Sequence, residues 1–500
     1  MTNALRSAPV RGSRRVLRVA ARAATATALV VSATVVGFSL SSDDGGRTVA
    51  ALANATIGAG GEYHALTPLR ILDTREANLD VAPFGRKPFQ TASSDGLFNV
   101  PVVDRAGLGP FHDGNGDCAD DNVLAVAVTI TVVNPTSVGY LEAFGKGENH
   151  PATSIVNFKP GAVVANTAVL RPGCDGELSV RLAPAAAATG DVLIDIFGWF
   201  SSSSYVNASD PGARLEPSGP GRIYDSRETA FGAHAFGPAE QRELTIWGAK
   251  AFDTGAEVVV NSSNVVAVLL NVTGVNANPG SANTFVSLLP APVVPGEQVS
   301  TSNLNLVTGQ VRSNMAIVPV SADGKIWVYN ANGNNHVVVD VMGYFLKNQD
   351  PSTSRGRVIP LVAPFRAFDT REAAFADQPL PPAYAEDWSF QDFAQDVKVN
   401  GQPLDSGQIG LIGNLTAAAL GRQYDWAPTG SYVTAYPTPS GGGAQSPPLI
   451  SNLGIKDGET VANLVLLKYG SDGTDPYQVR FYNRAGYLDY LLDVTAIVLS

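Results

Sequence analysis

Three times in this 500-residue chain an Arg-x-x-Asp-x-Arg segment recurs: Arg70, Asp73 and Arg75, then Arg222, Asp225 and Arg227, then Arg366, Asp369 and Arg371. Each is followed, far along the chain, by one aspartate inside an apolar run: Asp195, Asp340 and Asp493. Two carboxylates with two guanidiniums open three chemistries. Paired carboxylates can act as acid and base in glycoside hydrolysis. Guanidiniums that point outward can hold an anion or a sugar. A guanidinium fork can also grip a carboxylate with two bonds, so that the whole set is buried as a neutral cluster. An aspartate flanked by Val339 and Val341 is costly to bury without such partners. One such pair in each of three copies suits architecture better than an active site. The sets are therefore assigned as structural charge clusters that staple the first strand of each unit to its last, with no catalytic residue among them.

Weaker candidates lie elsewhere. Asp113, Asn115 and Asp117 place oxygen ligands at alternate positions, as calcium loops do, but position twelve holds Leu124 and the EF-hand pattern fails. Calcium is thus the one cofactor the sequence suggests. Cys118 and Cys174 are the only two cysteines, and in an exported chain they are expected to form a disulfide. Trp388 and Trp426 fall in stretches, 381–393 and 421–432, that read as irregular, which makes them candidate ligand contacts for a sugar ring. No Gly-x-Ser-x-Gly elbow, His-Glu-x-x-His pair, phosphate loop or dinucleotide fingerprint occurs, so nothing marks an enzyme.

The elements that must position the charged sets emerge from self-comparison. The first block, Pro68-Leu-Arg70-Ile-Leu-Asp73-Thr-Arg75, returns at offsets of 152 and then 144 residues. An apolar run follows at 123–134, 265–276 and, more loosely, 409–417. A third block runs from Ser154 to Asn166, from Ser302 to Asn314 and from Ser451 to Asn463. The closing block carries the isolated aspartate: Val192-Leu-Ile-Asp195-Ile-Phe-Gly198-Trp199-Phe200, its counterpart ending Gly343-Tyr344-Phe345, and Leu491-Leu-Asp493-Val494. The runs are short, β-branched and bounded by turn residues, and helical periodicity is lacking after residue 53. The expected fold is all-β: three tandem antiparallel sandwich or jelly-roll-like modules at 62–200, 213–345 and 357–500. A closed barrel is the alternative. Ser-, Asn- and Pro-rich linkers at 201–212 and 347–357 permit beads on a string or packing about a pseudo-threefold axis.

These four blocks together resemble a tandem module of exported actinobacterial proteins, found in arrays or beside catalytic domains. The resemblance implies export and β-structure, and it brings no established activity. It is strongest in the second copy and weakest in the third, where Ala496, Ile497 and Val498 replace the Gly-Tyr-Phe ending and Gly454 replaces Asn305.

Residues 1–53 read as an export signal: Arg6 to Arg22 form a basic start, 23–40 an apolar run, and Ala51-Leu52-Ala53 a small-residue cleavage site. Ser13-Arg14-Arg15-Val16-Leu17-Arg18 resembles a twin-arginine signal. An uncleaved leader would be the only route to the membrane. The whole chain carries a net charge of −11, and removal of the leader takes this to −16. Such a surface is wrong for nucleic acid. The sequence therefore points to a non-catalytic protein of the cell surface or extracellular space. It would act by adhesion, matrix assembly or glycan binding, on envelope or extracellular polysaccharide or protein partners. The competing reading is a divergent polysaccharide-active enzyme using loop carboxylates.

Overall fold

The computed structural model describes residues 60–500 apart from 76–88, 91–96, 109–121, 184–188, 374–377, 392–397, 404–406, 419–429 and some single positions. Of the leader it describes Arg14–Val16, which runs parallel beside Asp387–Ser389. The first module supplies β1 (Tyr63–Asp73), β2 (Leu97–Val100), β3 (Val123–Val133), β4 (Gly139–Gly145), β5 (Val156–Phe158), β6 (Val163–Leu170), β7 (Leu178–Ala183) and β8 (Thr189–Ser201). The second supplies β9 (Arg214–Asp225), β10 (Glu240–Thr245), β11 (Val265–Asn276), β12 (Thr284–Leu289), β13 (Leu304–Leu306), β14 (Gln310–Pro319), β15 (Lys325–Asn330) and β16 (His336–Leu346). The third supplies β17 (Val358–Asp369), β18 (Tyr384–Ser389), β19 (Gln408–Ala418), β20 (Ser431–Pro437), β21 (Leu453–Ile455), β22 (Thr460–Lys468), β23 (Gln478–Asn483) and β24 (Asp489–Leu499).

These strands form six antiparallel four-stranded sheets, two to a module. The orders are β1-β8-β3-β6 with β2-β7-β4-β5, β9-β16-β11-β14 with β10-β15-β12-β13, and β17-β24-β19-β22 with β18-β23-β20-β21. The first strand of each module therefore pairs with its last, which brings the Arg-x-x-Asp-x-Arg segment beside the isolated aspartate. Arg70 lies opposite Asp195, Arg222 opposite Asp340, and Arg366 opposite Asp493. Each module closes its own core between its two sheets, drawing on such residues as Ile130 and Leu182, Leu270 and Val328, and Leu415 and Phe481.

The third strand of each module is buried on both faces, and the reason lies outside the module. In β3, Val126, Val128, Ile130 and Val132 face the module's own core. Ala125 and Ala127 face a second core built from all three modules. That axial core also takes Leu215, Leu269, Met315 and Phe345 from the second module and Val358, Ile412, Leu464 and Val498 from the third. Tyr63 stacks on Phe345 with ring centroids 4.1 Å apart. The three module starts meet here as well, because Gly61 bridges to Val358 and Tyr63 to Ala213. Gly60, Gly212 and Gly356 open each module with φ of +63°, +74° and +78°, a region that favours glycine. Of the two sequence alternatives, the linkers adopt the packed one.

Candidate functional site

The register of the paired end strands assembles each charged set. In the first module Arg70 Nε and Nη2 donate to the two oxygens of Asp195 at 2.8 and 3.0 Å, and Nη1 reaches Asp73 at 3.4 Å. Arg75 grips Asp73 with its backbone N–H at 3.0 Å, Nε at 2.9 Å and Nη2 at 2.7 Å. The third module repeats the pattern: Arg366 to Asp493 at 2.5 and 3.2 Å, Arg366 to Asp369 at 3.1 Å, and Arg371 to Asp369 at 2.8 and 2.6 Å. In the second, Arg227 holds Asp225 at 2.8 and 2.6 Å, while Arg222 makes one bond of 2.9 Å to Asp340. Asp340 Oδ2 is buried without a hydrogen-bond partner among the described residues. The aspartates are buried in every set, whereas Arg75, Arg227 and Arg371 are nearly half exposed.

Position within the set decides the electrostatics. Burial opposes the charge on Asp73, Asp225 and Asp369, but the neighbouring arginine's side-chain and backbone donors outweigh it and hold these carboxyls below their usual range. Asp195, Asp340 and Asp493 lie deeper, and burial pushes them up. Asp340 reaches about 6 despite Arg222 and the Ser451 backbone of the third module. Each carboxylate of the sets has an arginine of its own set beside it, an arrangement that can hold the end strands in register and leave the outer edge of a guanidinium exposed.

Each set also faces the next module around the axis. Arg70 Nη2 donates to the carbonyl of Ser300 in the second module at 2.9 Å. Behind the sets run buried asparagines on the sixth strand of each module, Asn166, Asn314 and Asn463. Asn463 donates to Asn452 O at 2.6 Å and Asn271 Oδ1 at 2.9 Å, and accepts the Met315 N–H at 2.8 Å. Asn166 donates to Ile155 O at 2.8 Å and Asn414 Oδ1 at 2.9 Å, and accepts the Leu464 N–H at 3.0 Å. The third link differs because Thr129 stands where Asn271 and Asn414 stand in the other modules. There Asn314 donates to Asn303 O at 2.6 Å, and its Oδ1 is buried without a hydrogen-bond partner among the described residues.

Two clefts open between modules beside these links. One, of about 460 Å³, lies between the second and third modules and is lined by Arg222, Arg227, Tyr432 and Arg484 among others. The other, of about 770 Å³, lies where the third module meets the first and the second reaches in. Arg366 and Arg371 line it from the third module, Tyr140 and Lys159 from the first, and Arg312 from the second. Glu459 stands 3.5 Å from Arg312, whose guanidinium burial pushes down.

The other sequence candidates are placed differently. Trp388 is not a surface contact: it is 1% exposed on β18, stacks on Phe368 at 4.1 Å, and donates its indole N–H to Tyr490 Oη at 2.6 Å. The stretch around it is a strand and not irregular chain. Its pattern is masked by two buried carboxylates, Glu386 beside Tyr490 and Asp387 gripped by Arg480 at 2.7 and 2.8 Å. Trp426, Cys118, Cys174, Asp113, Asn115 and Asp117 lie outside the described residues. Among the described residues no group of three or more His, Cys, Asp or Glu side chains could hold a metal, and no helix is long and apolar enough to cross a membrane. Sequence reasoning did not reach the inter-module asparagines or the clefts. The recurrence of Asn166, Asn314 and Asn463 at the end of the third block was the available signal.

No family model matches the chain, and no curated protein matches it. Among solved structures it is similar to the tandem CBM22-1–CBM22-2 domains of Paenibacillus barcinonensis Xyn10C, at 11% identity over 56% of this chain and 93% of that one, with a TM-score of 0.16. It is also similar to a structure of Sulfolobus Turreted Icosahedral Virus, at 10% identity over 87% of this chain and 91% of that one, again with a TM-score of 0.16. At TM-scores this low neither likeness informs the reading of this chain.

Proposed function

We propose that this is a non-catalytic exported protein of the cell surface or extracellular space, acting by surface contacts in adhesion, matrix assembly or glycan binding. Its three modules would be jelly-roll sandwiches held as one block. The strand order within each pair of sheets supports the jelly roll. The basic and apolar leader ahead of Ala51-Leu52-Ala53 supports export.

The observation that carries the reading is the internal neutralisation of the charged sets. In all three modules the six aspartates turn to arginines of their own set. A glycosidase pair needs one carboxyl free to donate a proton and another free to act as base or nucleophile. Carboxylates paired to guanidiniums and buried away from any ligand, including Asp340 with its Oδ2 unmatched among the described residues, support registration of the end strands instead.

Sedimentation of the exported chain with isolated cell envelopes and a panel of insoluble polysaccharides, with calcium and with chelator, tests the proposal. Saturable binding without release of reducing sugar is expected. Hydrolysis of any polysaccharide in the panel, or no retention by any surface, overturns it.

A further inference from the structure

The cleft between the third and first modules gathers cations in an acidic protein, and unlike the other cleft it draws them from all three modules. Its named charges are Arg366, Arg371, Arg312 and Lys159 against Glu459. Asp369 and Asp493 lie beneath the two arginines of the set, which leaves the site with one excess positive charge in a chain of net charge −11. Glu459 is a loose partner for Arg312 at 3.5 Å.

The first module shows what the outward face of such an arginine does when the neighbour closes over it. There Arg70, with both Asp195 oxygens already bound, turns its remaining Nη2 donor to the Ser300 carbonyl. Arg366 binds Asp493 through the same two nitrogens, yet it lines an open cleft. The donor that takes a carbonyl oxygen in one copy is thus presented to whatever enters in the other. Arg371 adds the edge of a guanidinium that is 46% exposed.

The remaining walls suit a sugar ring. Tyr140, half-buried, offers one aromatic ring, and the exposed Val138, Val163 and Val307 form an apolar rim. A pyranose suits such walls, with its C–H face against aromatic carbon and its hydroxyl edge toward polar groups. The volume, about 770 Å³, lies in the range of sites for small ligands, about 300–1,000 Å³.

We infer that this cleft takes an acidic saccharide, one bearing a carboxylate or a phosphate, whose anion meets Arg366, Arg371, Arg312 and Lys159 while its ring lies against Tyr140. The assignment rests on the surface-contact reading above and names its ligand class. Carboxylate and phosphate share the recognising chemistry, and the assay separates them.

The test is isothermal titration calorimetry of the exported chain with three probes: oligogalacturonate, a glucose 6-phosphate-bearing oligosaccharide, and neutral cellohexaose. At least one acidic probe is expected to bind, at least tenfold tighter than the neutral one and more weakly as salt rises. Lys159→Glu, at an exposed position, is expected to weaken that binding at least fivefold with thermal stability unchanged. Arg312→Gln provides a second variant. Equal binding of acidic and neutral probes, heat from neither acidic probe, or full affinity in a folded Lys159→Glu protein overturns the inference. If envelopes still retain the chain while both acidic probes fail, the cleft assignment falls and the surface-contact reading stands.

Discussion

Replacing Asn463 by alanine removes one of the two fully engaged inter-module links, the other being Asn166. Three groups lose their partner at once: the Met315 N–H, the Asn452 carbonyl and the Asn271 amide oxygen. All three belong to buried residues, and each buried polar group left unmatched costs about 1–3 kcal/mol. With partial relaxation of the Asn271 side chain, the loss comes to about 3–5 kcal/mol. Asn314 is the internal control, because its Oδ1 has no partner among the described residues and its Nδ2 makes the 2.6 Å bond to Asn303. Asn314→Ala strands one carbonyl while removing an unsatisfied oxygen, a net effect of about 1 kcal/mol. Equilibrium unfolding in urea, followed by tryptophan fluorescence, reads both variants. The expected result is a single transition in each, with Asn463→Ala at least about 2 kcal/mol less stable than Asn314→Ala. Equal stabilities, or a third-module transition that separates from the others already in the wild type, would refute the reasoning.

Asp340→Asn carries a counter-intuitive sign. Burial raises Asp340 from 3.8 to about 6, so folding favours its neutral form. Its contribution to stability is therefore greatest below about pH 4 and is lost as pH rises through about 6, a penalty of roughly 3 kcal/mol at neutrality from 1.36 kcal/mol per tenfold change in proton affinity. Asp340→Asn should match or exceed the wild type at pH 7 and should flatten the stability profile between pH 4 and 6, measured by urea titration. Asp225→Asn should do the reverse and destabilise at pH 7, because its folded carboxyl is held low by Arg227. Trp388→Ala should lower stability by about 3–5 kcal/mol, as for other buried aromatics, and leave the envelope affinity of the folded fraction unchanged. A loss of affinity with intact stability would return Trp388 to the ligand contacts.

The repeat carried much of this architecture in plain view. Pro-x-Arg-x-x-Asp-x-Arg and the isolated aspartate recur in the same order in every copy, at separations of 125, 118 and 127 residues, so their pairing could be read from the sequence. The axial core could not. Ala125 and Ala127 alternate with Val126 and Val128, and that pattern announces burial on both faces without saying that a second and a third module cover the outer one. Gly198 shows the same limit: a Cβ there would sit 2.3 Å from the Tyr63 ring, a close approach across paired strands that sequence spacing does not encode. The asparagines are separated from their partners by roughly half the chain, as with Asn166 and Asn414, so the recurrence was visible and its purpose was not. Trp388 misled because the carboxylates of Glu386 and Asp387 lie on a buried strand, where alternation of apolar residues is the usual guide.

Small-angle X-ray scattering of the exported chain tests most directly the claim that the three modules act as one block. A compact body of residues 60–500 should give a radius of gyration of about 22 Å and a single-peaked distance distribution. A radius beyond about 30 Å, with a second peak from separated modules, would contradict the account, because domains of this size packed together cannot reach it.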